Sequence, residues 1–147
     1  MKPFEFSLEP LLEYRTFELD KIEKELSLQS GKLALLNEEL ESKARELLRI
    51  GFERFQKANS LCEIRAYELY SKRIESEKEK LIKAIAVAEV ELEKIRAQWT
   101  EANKKKKVLE KMKEKKYTAW KQEKARQEIL MLDEFGTGAH EREKHIV

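Results

Sequence analysis

A single cysteine, four glycines and two prolines occur among the 147 residues. Cys62 has no second cysteine with which to form a disulfide or complete a metal set, so a reducing, cytosolic compartment is expected. So few glycines and prolines are not the usage of a globular domain. No apolar run approaches the ~20 residues that a membrane helix requires, so direct membrane insertion is not expected. Charge of one sign is missing too: 31 basic against 29 acidic residues leave +2. That net charge implies no nucleic acid partner. The opening, Met1 to Phe6, has one lysine and no continuous apolar region, with acid following at Glu9 and Glu13, which is not a secretory signal. The histidines, His140 and His145, fall in a polar tail without a pocket, and there is no glycine-rich phosphate loop. Carboxylates on a solvated helix face have nothing to exclude water or shift a pKa. No catalytic residue, cofactor or metal ligand is therefore assigned, and an enzyme is not expected.

What is present is charge, 41% of residues, threaded by a regular apolar seam. Leu8, Leu12, Leu19, Ile22, Leu26, Leu33, Leu36, Leu40, Leu47 and Ile50 recur at gaps of three and four. Only Arg15, Gln29 and Lys43 interrupt the register. A heptad seam of this length predicts a coiled coil, and so narrow a stripe needs an opposing helix. From Ile64 the spacing resumes through Tyr67, Tyr70, Ile74, Leu81, Ile85, Ala88, Leu92, Ile95, Trp99, Ala102, Leu109 and Trp120. Gaps of four, four and three after Glu77 form a stutter, which relaxes a left-handed supercoil without ending the helix.

These patterns predict an all-α fold of two long helices in an antiparallel coiled-coil hairpin, as a single domain over 1–147. Helix one is placed at about 8–57, with Ser7 as its N-cap and Pro10 tolerated in the first turn. The turn is placed at about 58–61, where Asn59 tolerates a left-handed conformation and Ser60 with Glu63 forms a capping box. Helix two is placed at about 62–134, and 135–147 is expected to be a flexible tail after Gly136 and Gly138. Folding the chain near residue 60 makes position i face about 120 minus i. Early acids (Glu9, Glu13, Glu18, Asp20, Glu23 and Glu25) would then oppose the run of Lys104, Lys105, Lys106, Lys107, Lys111 and Lys113.

The lysine run reads first as a solvated face that complements the acidic helix; contact with an acidic protein surface is the functional alternative, and nucleic acid comes last. Trp99 lies in seam register and reads as core. Tyr117, Trp120 and Phe135 lie where helix two outruns helix one, so packing onto the residues before Ser7 and partner binding both remain open. Phe52 and Phe55 approach Tyr67 and Tyr70 across the turn, as a packed cluster or an exposed aromatic patch.

Phe6-Ser7-Leu8-Glu9-Pro10-Leu11-Leu12-Glu13-Tyr14-Arg15 resembles the opening F-x-L-x-x-L-L-x-x-R of FliJ-type flagellar export proteins. Lys111-Met112-Lys113-Glu114-Lys115 followed by Glu123, Arg126, Glu128 and Leu132-Asp133-Glu134 is similar to that family's closing pattern, and Tyr67-Glu68-Leu69-Tyr70 with Ile74 to the start of its second helix. The resemblance implies a fold similar to the central stalk of rotary ATPases. It also implies a non-enzymatic part of the flagellar type III export machinery, cytoplasmic and peripheral at the inner membrane through that apparatus. The implied partners are the hexameric export ATPase, the cytoplasmic domain of the export-gate membrane protein, and export chaperones that it helps recycle. Phe6, Leu8, Leu12, Arg15, Glu123, Arg126, Asp133 and Glu134 would face the ATPase, and Phe55, Tyr67, Tyr70 and Ile74 the gate. A monomer is expected, with a swapped dimer as the state a weakly specified turn permits. The alternative reading is a generic structural coiled coil or the stalk of a related virulence-type secretion system.

Overall fold

The computed structural model describes residues 2–57 and 60–146, without the side chains of residue 140 and residues 144–146. Two helices, α1 (Glu9–Lys57) and α2 (Leu61–Ile146), pack against each other as an antiparallel hairpin, with no strand among the described residues.

The helix starts follow from local chemistry. The Leu8 carbonyl accepts the first helical bond, from Leu12 N–H at 2.9 Å, and Glu9 N–H donates to the Phe6 carbonyl at 3.0 Å. The cap of α1 is thus a backbone one at Leu8, one residue beyond the expected Ser7. Pro10 falls in the first turn, where amides lack intrahelical acceptors. At α2, Ser60 Oγ accepts Glu63 N–H at 3.2 Å and the Ser60 carbonyl accepts Ile64 N–H at 3.1 Å. This is the serine half of the expected capping box. Of the expected turn, Ala58 and Asn59 lie outside the described residues.

The expected end of helix two is corrected. In place of a flexible tail over 135–147, α2 continues through Gly136 and Gly138 to Ile146. Each glycine costs a helix about 1 kcal/mol relative to alanine, but no proline follows to remove an amide or collide with the preceding turn. Neither glycine has a positive φ. Thr137 Oγ1 donates to the Asp133 carbonyl at 2.8 Å across this stretch.

The chain divides into two compact units, one of residues 20–101 and one of residues up to Leu19 with those from Ala102 onward. In the first, Ile50, Ile74, Ile85, Ala88 and Leu92 are buried, and Ile22, Leu26, Leu33, Leu36, Leu40, Leu47, Leu81 and Ile95 are half-buried. The polar seam residues are satisfied across the helix pair. Gln29 Nε2 donates to the Ala88 carbonyl at 3.2 Å, and the Lys43 ammonium meets the Glu77 carboxylate at 2.8 Å. A one-heptad slip would set Lys43 opposite Tyr70 or Ala84 in place of Glu77, so the ion pair favours the observed register. Trp99 is half-buried and donates through Nε1 to Glu23 at 3.2 Å. At the stutter, Glu77 with Lys78 and Ala84 with Ile85 all turn partly or fully inward, as expected where the heptad rhythm is locally unwound.

In the second unit Phe6, Leu12, Leu19, Ala102 and Leu109 are buried. The Lys113 ammonium lies 2.8 Å from Glu9 Oε2, an ion pair without hydrogen-bond angles. The residues before Ser7 cover part of the segment that outruns α1. Phe4 sets its ring edge-on to Tyr117 at 5.1 Å and lies 6.0 Å from Trp120, the latter two rings stack, and Trp120 Nε1 donates to the Lys2 carbonyl at 3.1 Å. Packing is therefore what Tyr117 and Trp120 do here, while Phe135 is exposed.

Candidate docking surfaces

The residues assigned by resemblance to an ATPase contact divide by burial. Phe6 and Leu12 are core, at 6% and 8% exposure, and Leu8 is half-buried beside them. Their role in this structure is to pack the lead and the first turns of α1 onto α2. Arg15 is half-buried, with its guanidinium 3.1 Å from Glu18 and 5.8 Å from the centre of the Tyr14 ring. A hydrogen bond from Tyr14, and then one from Arg15, hold the Glu18 carboxyl below the usual carboxylate range, while the same bond raises the Tyr14 phenol.

Farther along α2, Arg126 grips Glu123 with two bonds, Nη2 to Oε1 at 2.7 Å and Nε to Oε2 at 3.1 Å. The paired guanidinium lowers the Glu123 carboxyl, and the carboxylate raises Arg126. Asp133 and Glu134 are exposed. Beside them Ile129, Leu130, Met131, Leu132 and Phe135 are all exposed, at 48–74%, of which the sequence reading singled out only Phe135 as a candidate contact. Met131, Glu134, Phe135, Gly138, Ala139 and Arg142 line a shallow hollow of about 330 Å³ there.

Of the residues assigned to the gate, Phe55 is 92% exposed and Tyr70 41% exposed, its hydroxyl donating to Glu46 Oε1 at 3.2 Å. Tyr67 is half-buried, and Ile74 is core at 2%. Among the described residues neither Phe52 nor Phe55 makes a ring contact with Tyr67 or Tyr70. An exposed apolar surface replaces the packed cluster, with Leu48, Phe52, Leu61 and Leu69 also open to solvent. Arg54 bridges to Glu68 at 3.0 Å, and Arg49 holds both Glu46 and Glu53.

The arrangement offers contact surfaces among the described residues. Among the described residues no cluster of three histidine, cysteine or acidic side chains is placed to hold a metal ion, and no helix is long and apolar enough to cross a membrane. The side chains of His140 and His145 lie outside those described. No curated protein and no solved structure matches the chain. The family model described as the flagellar FliJ protein does match, over residues 4–145, nearly the whole length. The chain therefore belongs to the FliJ family, whose members are non-catalytic components related to flagellar export.

Proposed function

We propose that this protein engages the hexameric flagellar export ATPase through its terminal segments and links it to the export gate, promoting ring assembly and the recycling of export chaperones. The observation that carries this reading is the exposed apolar stretch from Ile129 to Phe135, whose large side chains surround a part of α2 that the antiparallel partner leaves uncovered. Several exposed large apolar residues on one short stretch of helix mark a surface for a protein partner. Glu123, Arg126, Asp133 and Glu134 supply the polar flank of that stretch, Arg15 is a separate contact on α1, and Phe6, Leu8 and Leu12 hold the lead in place. Phe55, Tyr67 and Tyr70 supply the surface for the gate, and Ile74, which is buried, acts on it through the packing of the helix pair.

A non-enzymatic role of this kind requires only that the contacts differ in free energy between ATPase states, since a ligand shifts an equilibrium by its differential affinity. In this reading the protein is cytoplasmic and sits at the inner membrane through the export apparatus. The test is hydrolysis by the cognate export ATPase across a range of enzyme concentrations, with and without the folded protein. Stimulation that fades once the ring is fully assembled is expected, and it is lost in Leu132→Asp and Phe135→Asp. No stimulation by a protein of full helix content would overturn the reading.

A further inference from the structure

We propose that one face of α2, formed by Lys104, Lys107, Lys111 and Lys115, binds an anionic phospholipid surface. The spacing of three, four and four places these side chains in line on one side of the helix. All four are exposed, and none has an ion pair among the described residues. The neighbouring lysines have other duties: Lys113 meets Glu9, and Lys106 reaches Glu110 at 3.7 Å. Of the acids in the first nineteen residues, Glu9 and Glu18 are likewise engaged, by Lys113 and Arg15. Lys113 thus complements the first helix as expected, while the face of Lys104, Lys107, Lys111 and Lys115 has no ion pair to it among the described residues.

Composition selects the occupant. Between Lys104 and Lys124 there are ten lysines, no arginine and three acids, Glu110, Glu114 and Glu123. Arginine dominates where carboxylates are gripped in pairs by a protein partner, and lysine is depleted at such interfaces. Lysines act as point charges and suit a diffuse array of phosphate headgroups, which attract clusters of four to eight basic residues. Nucleic acid fits less well, because the nearby rings are not free to stack on bases. Tyr117 and Trp120 already face each other, with the Lys121 and Lys124 ammoniums 4.8 and 5.2 Å from their respective ring centres. Binding is peripheral and electrostatic, in keeping with the absence among the described residues of a helix apolar enough to insert.

The experiment is co-sedimentation of the full chain with phosphatidylcholine vesicles, with and without about 30% phosphatidylglycerol, at low and high salt. Binding only to the phosphatidylglycerol vesicles, lost at high salt, is expected. Replacing all four lysines with Gln should lower the partition coefficient on the order of 1,000-fold, and replacing them with Arg should preserve it. Circular dichroism should not distinguish either variant from the native chain, since the four side chains make no ion pair among the described residues. Failure to bind anionic vesicles at low salt, or undiminished binding by the Gln variant, would overturn the proposal. If the Gln variant kept vesicle binding and lost binding to the export ATPase or to duplex DNA, the face would belong to that partner instead.

Discussion

Ile74 and Phe55 were assigned to the same surface, yet the structure places one at 2% exposure and the other at 92%, and this contrast gives a quantitative test. Ile74→Ala deletes three buried carbons from a seam only two helices thick. Substitutions of this kind cost about 2–5 kcal/mol, and the exposed flanks of a helix pair permit partial collapse, so about 3 kcal/mol is the expected value. For a chain of this size each kcal/mol shifts the melting temperature by ~2–4 °C, giving a fall of about 6–12 °C. Phe55→Ala removes a side chain with almost nothing packed on it and should shift melting by less than about 2 °C. Binding to the gate domain, measured well below either midpoint, should show the reverse order, with Phe55→Ala the more damaging. Melting that is unchanged in Ile74→Ala, or lowered by more than 5 °C in Phe55→Ala on the scale of ~2–4 °C per kcal/mol, would refute the packing argument.

Further outcomes follow from the same geometry. Gly31→Ala and Gly51→Ala should each raise stability by up to about 1 kcal/mol, because both glycines are helical without positive φ and nothing lies within 4 Å of an added Cβ; thermal melts check this. Gly136→Ala with Gly138→Ala should slow amide exchange over the last turns of α2, which would not occur if that segment were an unstructured tail. The Lys43–Glu77 pair makes stability depend on pH at both extremes: a hydrogen bond to Lys43 lowers Glu77, and the same bond raises Lys43. Glu77 thus contributes stability above its unfolded pKa that is lost as pH falls through its depressed folded value. Lys43 contributes below its unfolded pKa, and that part is lost as pH rises through its elevated one. Melting temperature should therefore fall at both ends, and Glu77→Gln should flatten both slopes.

What the sequence determined by itself was the helical state and the face each helix turns inward, because the 3.5-residue spacing of Leu12 to Ile50 is a local property of one chain. The same arithmetic placed Arg15, Gln29 and Lys43 in the seam and predicted pairing of positions that sum to about 120, as Lys43 with Glu77 does. The glycine signal misplaced the end of α2, since a helix-breaking tendency of ~1 kcal/mol is not a steric prohibition. Tertiary structure decided the rest. Gln29 finds a backbone carbonyl on α2, and Phe4 finds the Tyr117–Trp120 pair, because those groups are distant in sequence and meet only when the helices pair. It also separated Phe55 from Ile74 and left Ile129 to Phe135 bare. Exposure of an apolar side chain depends on whether a second helix lies opposite it, and no spacing within one helix contains that information.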